Sequence, residues 1–263
     1  MNIIVCVKQV PNTNEVRINN ETGTLIRDGV ESIINPDDLN AVEEALRIKD
    51  AHEDVHVTVL SMGPPQADFA LRQVLAMGVD RAVLVSDRAF AGSDTWATAT
   101  VLAAAIRKIG NYDIVFCGRQ AIDGDTAQVG PEIAEFLDIP QITYVRELEI
   151  KKDKVIATRS FEEGLMVIES GMPVLLSAIK ELNHPRFLDI RKIYEAYSDE
   201  ADYAVWSADD IEVDRSQIGV KNSPTKVFKT FVPVKEFNGK HLTGTPKELA
   251  AKCMDEIHQL NLI

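Results

Sequence analysis

The sequence is poor in cysteine, in aromatic side chains, in positive charge and in long apolar runs. Its three cysteines, Cys6, Cys117 and Cys253, are too few and too scattered for a disulfide framework or a CxxC metal site. Cys6 and Cys117 lie inside apolar runs and read as buried thiols, which suits a reducing cytoplasm. Lysine and arginine number 28 against 41 acidic residues, a formal charge of −13. That balance argues against nucleic acid or an anionic membrane as partner, because both require a basic footprint. The opening MNIIVCVKQ has no basic region before its apolar run, and the run is too short for a signal peptide or a membrane-spanning helix, so no membrane insertion is expected.

Familiar motifs are missing too. No GxGxxG occurs, and a Walker loop fails because Gly118 and Gly124 enclose five residues and Asp125 follows. An EF-hand loop begun at Asp123 meets Gln128 and Ala134 where it needs Gly and Glu. His52, His56, His184, His241 and His258 share no spacing with a nucleophile elbow or an HExxH helix, so no catalytic side chain and no metal ligand is assigned. Redox or group-transfer chemistry, if present, belongs to a cofactor.

What is present is a core-forming chain of 263 residues, 45% hydrophobic, long enough for one large or two small domains. Its organising stretch is 114–139, IVFCGRQAIDGDTAQVGPEIAEFLDI. An apolar run of strand length breaks at Gly118, a polar small-residue loop follows, and then Val129, Ile133, Phe136 and Leu137 fall on one face of a helix. Loops at the carboxyl end of a parallel sheet converge with helix amino-termini whose free N–H groups favour anions, so a ligand is expected over 118–130. A plain connector selects similar residue types and remains open. Pro131 has no N–H, so the helix starts at Gly130 or has a loosened first turn, and the amides of 126–130 are candidates for a ligand. Asp123 and Asp125 would repel a phosphate unless they cap the helix or accept ribose hydroxyls.

The rest of the first 140 residues alternates strand and helix, the pattern of a mostly parallel doubly wound sheet. Strands are expected near 3–7, 55–60 and 82–85, with a long excursion over 11–31 around Gly23 and Gly29. Asn35 can cap a helix with Pro36 first and Asp37 and Asp38 in its opening turn, turning Leu39, Val42, Ala45 and Leu46 inward. A second helix is expected after the turn at 61–64, and a third over about 94–109, ended by Gly110. From Gln141 four extended runs follow without a helix, which reads as antiparallel strands added to the sheet. Arg146 and Arg159 lie on them, as solvated or ion-paired residues by default. A loop over 177–197, broken by Pro185, carries Leu182, which could be a half-buried anchor. From 198 the chain is a polar arm until a capping box at Thr245 and Glu248 opens a last helix.

Several segments together resemble the β (small) subunit of electron transfer flavoproteins: IVCVKQVP, NPDDLNAVEEALRIKD, SMGPPQA, VLAMGVDRA, GRQAIDGDTAQVGPEIAEFLDIPQ, ATRSFEEG and LNHPRF, in order over about the first 190 residues. More narrowly, DGDTAQVGP is similar to the form in electron-bifurcating members, whose small subunit holds a second FAD where conventional members hold AMP. The resemblance implies that Gly118, Arg119, Gln120, Ala121, Ile122 and Asp123 form the adenine-nucleotide loop together with Gly124, Asp125, Thr126, Ala127, Gln128 and Val129. It adds Cys6, the cap segment of Asn35, Pro36, Asp37 and Asp38, and Met62, otherwise core filler, against the adenine. Arg159, and by position Arg146, fall on the flavin or subunit side. Leu182 falls in a recognition loop that docks an acyl-CoA dehydrogenase.

The implied organisation is a nucleotide-binding α/β domain over 1–197 and a C-terminal arm over 198–263 packed on the large (α) subunit. The implied function is a cytoplasmic heterodimer whose small-subunit FAD takes hydride from NADH. It then sends one electron to ferredoxin or flavodoxin and one, through the large-subunit FAD, to the dehydrogenase. Two other readings stay open: a conventional member with structural AMP, and a stand-alone nucleotide-binding sensor, which would be stable as a monomer.

Overall fold

The computed structural model describes residues 1–12, 17–18, 25–26, 31–226, 228 and 239–260. The chain divides into two compact units, Met1–Phe228 and Lys229–Ile263. The first is built from β1 (Asn2–Cys6), β2 (Gln9–Pro11), β3 (Arg17–Ile18), β4 (Leu25–Ile26), β5 (Ser32–Ile34), α1 (Pro36–Ala51) and β6 (His56–Met62). Next come α2 (Asp68–Met77), β7 (Arg81–Val85), α3 (Thr95–Ile109), β8 (Ile114–Gly118) and α4 (Val129–Leu137). The unit ends with β9 (Gln141–Lys151), β10 (Lys154–Phe161), β11 (Gly164–Gly171), β12 (Val174–Ala178), α5 (Ile190–Ala196), β13 (Tyr203–Trp206) and α6 (Gly219–Asn222). The hairpin expected around Gly23 and Gly29 lies largely outside the described residues.

Nine strands form one sheet in the order β11-β10-β9-β12-β8-β1-β6-β7-β13. Every neighbouring pair from β9 across to β13 is parallel, and only β9–β10 and β10–β11 are antiparallel. The expectation of four antiparallel runs after Gln141 is therefore corrected for the last, since β12 runs parallel to both its neighbours. Side-chain alternation is the same in either direction, so it cannot report orientation. A second correction concerns the arm. Residues 203–206, expected within it, are an edge strand of this sheet, and Ala208, Ile211 and Ile218 beyond them are buried.

The sheet carries a core on each face, and β1 and β8 show why. Ile3, Val5, Ile114 and Phe116 point to the side packed by α1 and α2, whereas Ile4, Cys6, Val115 and Cys117 point to the side packed by α3 and α4. A strand apolar on both sides of its period-two alternation is stable only when helices cover both faces. Asp94 caps α3 by accepting the Ala97 N–H at 3.0 Å, and Gly110 ends it at φ 68°. In the second unit α7 (Pro246–Gln259) opens with the expected capping box at Thr245 and Glu248. Among the described residues no helix is long and apolar enough to cross a membrane.

Candidate functional site

The chain leaves β1 towards α1 on one face of the sheet and leaves the adjacent β8 towards α4 on the other, which makes their carboxyl ends a topological switch point. A buried carboxylate ties the two ends together. Asp38 accepts the Lys8 N–H through Oδ2 at 2.8 Å and the Gly118 N–H through Oδ1 at 3.0 Å. Gly118 has to be glycine, because a Cβ there would lie 2.3 Å from Asp38 Oδ1 and 2.7 Å from the backbone of Asp37 and Asp38.

Asn35 stands at the cap position of α1, as expected, but makes no side-chain cap hydrogen bond. Its amide reaches the loop after β8 instead, donating from Nδ2 to the Gln120 carbonyl at 2.9 Å and accepting the Ile122 N–H at Oδ1 at 3.0 Å. Pro36 is the first helical residue and has no N–H that needs a cap. The first turn of α1 thus clamps the loop rather than its own helix end.

The acidic side chains of the loop are all occupied. Asp123 receives Lys8 Nζ on both oxygens, at 2.8 and 3.0 Å, and Asp125 receives Gln120 Nε2 at 2.8 Å. Arg119 Nε lies 3.2 Å from Asp37 Oδ2 as an ion pair without hydrogen-bond alignment. The expectation that Asp123 or Asp125 caps α4 is corrected, because Gln128 is the residue at that cap and its side chain makes no cap bond. Asp125 is drawn to a donor inside the loop, and Asp123 to Lys8, which follows β1. Since the Lys8–Asp123 pair is half-exposed, Asp123→Ala is expected to cost under about 1 kcal/mol in denaturant unfolding.

With its carboxylates paired, the loop still presents amides. The N–H groups of Thr126, Ala127 and Gln128 meet no acceptor among the described residues. Ala127 sits at φ 53° and Gln128 is right-handed. A left-handed residue followed by a right-handed one is the backbone pattern that turns successive amides to one side in anion-binding nests. Asp125, at φ 50°, is a second non-glycine residue held left-handed, at a cost of roughly 1–2 kcal/mol each. Helix α4 then starts at Val129, its first turn closed by Glu132 N–H to the Gln128 carbonyl at 3.0 Å despite Pro131. Gly124 has nothing within 4 Å of its Cβ position, and Ala121 accepts the amides of Gly124 and Asp125, so the loop is a tight bend open on its outer side.

Cys6 and Cys117 lie beneath. Burial and the nearby Asp38 push the Cys6 thiol up to about 12, and burial pushes Cys117 up as well, so both are neutral packing groups, as read from the sequence. Met62 ends β6, partly buried against the α3–α4 face. Two residues were missed. Lys8 announces itself only as the basic residue after the first strand. Glu132 receives Thr95 Oγ1 at 3.0 Å, keeps Oε2 buried without a partner among the described residues, and has its carboxyl pKa raised by burial. A first-turn acid reads as a complement to the helix dipole, which hid it.

Arg146 and Arg159 do not form ion pairs among the described residues, and each has a buried Nε without a partner. Arg146 is the unpaired residue where β9 and β10 slip register, between Glu147 opposite Thr158 and Val145 opposite Arg159; nearby Tyr144 has φ 58°, and the Arg159 guanidinium lies 5.8 Å from its ring centroid. Leu182 is corrected as a docking residue. Its N–H bonds the Ile179 carbonyl at 3.0 Å in a turn, and its side chain is buried in the core on the α1–α2 side. The most exposed apolar residues of that loop are Phe187, Ile190 and Tyr194, at 98%, 84% and 83%.

A family model described as the electron transfer flavoprotein domain matches residues 22–209. Over the full length of both chains the sequence is 57% identical to the electron transfer flavoprotein subunit beta of Thermoanaerobacterium thermosaccharolyticum and 54% identical to that of Clostridium acetobutylicum. It is 49% identical, again over all of both chains, to the caffeyl-CoA reductase-Etf complex subunit CarD of Acetobacterium woodii.

Proposed function

The chain belongs to the electron transfer flavoprotein family as a β subunit with an electron-transfer role, and on that premise we propose that its crest binds an FAD of its own in a bifurcating heterodimer. The free amides of Thr126, Ala127 and Gln128 carry this reading. A pyrophosphate presents anionic oxygens that only donors can satisfy, and three successive donors, unpaired among the described residues, stand just before α4. Asp123 and Asp125 keep lone pairs for ribose hydroxyls, while Lys8 offsets the charge of Asp123 and Gln120 engages Asp125 by a hydrogen bond. Asn35 and Asp38 hold the loop to α1 and β1, so the amides are aimed before a ligand arrives.

The bound flavin would supply the chemistry, accepting hydride from NADH and passing electrons singly to the large-subunit flavin and to ferredoxin or flavodoxin. Protein groups orient and insulate it. Arg146 and Arg159, each with an unsatisfied Nε, suit the flavin end or the subunit boundary.

A β subunit implies an α subunit. The edge strand β11 exposes Leu165, Met166 and Val167 at 56%, 46% and 69%, an apolar edge of the kind that other chains cover. Helix α7 has no buried residue and exposes Met254, with Leu260 exposed just past its end; both features suit packing on the large subunit. An acyl-CoA dehydrogenase is the proposed high-potential acceptor, and its docking passes from Leu182 to Phe187 and Ile190. Releasing and chromatographing the cofactors of the purified heterodimer tests the reading. Two FAD per heterodimer are expected, and one FAD with one AMP would overturn it in favour of a conventional member.

A further inference from the structure

We infer that Glu43 is a positioning residue for the docking segment, acting through Arg186, so that the helix clamping the nucleotide loop also fixes where the partner lands. The inference rests on the docking reading above and goes beyond it. Glu43 is buried midway along α1. Its Oε2 accepts the Arg186 backbone N–H at 3.0 Å and Nε at 2.9 Å, while Oε1 accepts Nη2 at 3.0 Å. The same Nη2 reaches Asp50 Oδ2 at 2.8 Å. One turn back on α1, Asn40 and Asn183 exchange amide-to-carbonyl bonds, both 2.9 Å, and Asn183 Nδ2 also reaches Glu44 Oε2 at 2.9 Å.

This polar latch fixes the upstream half of the segment, whose next residue is Phe187. Apolar packing anchors the chain upstream, at Leu182, but does not reach Phe187, which is almost fully exposed. The downstream half is held separately on α2, by the Asp189 N–H to the Ala76 carbonyl at 3.2 Å and Arg72 Nη1 to the Ala196 carbonyl at 2.6 Å. A guanidinium fork on a buried carboxylate permits one geometry, and the backbone bond to the same oxygen locks residue 186 into it. A partner that recognises Phe187 and Ile190 then meets a loop already ordered, and the ordering entropy is not charged to docking. Because Asn35 stands at the cap position of α1 and Asp37 and Asp38 lie in its first turn, nucleotide loop and docking segment are both tied to that one helix.

The test uses Glu43→Gln in the full heterodimer, with electron transfer to an acyl-CoA dehydrogenase purified from the same cells. The variant keeps the shape of Glu43 but places an N–H donor against a donor of Arg186. The KM for the dehydrogenase is expected to rise about five- to tenfold. The kcat at saturation and the flavin content should stay unchanged, and amide exchange over 183–187 should quicken. Asn183→Ala, which removes the neighbouring contact, is expected to raise the same KM about threefold and serves if the first variant does not assemble. Phe187→Ala separates the two ideas. An unchanged KM in Glu43→Gln, with a raised KM in Phe187→Ala, overturns the positioning role alone. If Phe187→Ala and Ile190→Ala also leave KM unchanged, the docking reading falls and takes this inference with it.

Discussion

Gly118→Ala is expected to destabilise the protein by about 3–5 kcal/mol and to strip it of bound nucleotide. The added methyl would sit 2.3 Å from Asp38 Oδ1 and 2.7 Å from Asp37 C and Asp38 N. Two of those atoms are backbone in the first turn of α1 and cannot rotate away, so either the helix start or the strand end has to move. Overpacking of this kind costs roughly 1–3 kcal/mol. Pushing the carboxylate aside also leaves the amides of Lys8 and Gly118 without their acceptor, at roughly 1–3 kcal/mol for the buried Gly118 donor and less for the part-buried Lys8 one. No left-handed backbone is involved, so the effect is one of space alone. For a unit of this size the midpoint of thermal unfolding should fall by about 10 °C. Gly124→Ala, the same change six residues on, has nothing within 4 Å of the new Cβ and should move stability by less than about 0.5 kcal/mol. If the two variants unfold alike, the close approach of β8 to α1 does not brace the site.

That approach marks the limit of what the sequence discloses. Strand, loop and helix over 114–137 are legible because period and turn chemistry are local properties. So is the fold class, from the alternation before residue 140 and its loss afterwards. The partners of Asn35 are not legible, because a cap residue before Pro36 gives no sign that its amide will bond Gln120 and Ile122, more than eighty positions away. Leu182 fails for a related reason. Its neighbours are polar, yet a turn bond to Ile179 carries it inward and leaves Phe187 and Ile190 outside. The direction of β12 and the bulge at Tyr144 depend on neighbouring strands, which period-two patterning cannot name. The edge strand over 203–206 was in principle visible. YAVW is a β-branched and aromatic run, short enough to be lost in a polar tail.

Asp38 should make the stability of the protein fall as pH rises. Burial pushes its carboxyl from an ordinary 3.8 up to about 7; Asn35 and the amides of Lys8 and Gly118 pull the other way, and Asp37 adds to the rise. The groups facing it from the packed elements are Cys6 on β1, which burial keeps neutral, Cys117 on β8, likewise neutral, and Asp37 beside it on α1. Between about pH 4 and 7 the folded protein holds a proton on this group that the unfolded chain has released. Unfolding therefore releases a proton in that window, and stability declines with increasing pH until Asp38 is ionised in both states. At roughly 1.4 kcal/mol per pH unit, the contribution reaches at most about 4 kcal/mol. Other carboxylates titrate as well, so the informative quantity is the wild type compared with Asp38→Asn, which carries no titrating proton. Denaturant unfolding from pH 5 to 8 should show the wild type losing stability relative to Asp38→Asn as pH rises. A constant difference across that range, or one that grows in favour of the wild type, would mean that the carboxylate is already ionised at pH 5 and that its two amide donors outweigh its burial.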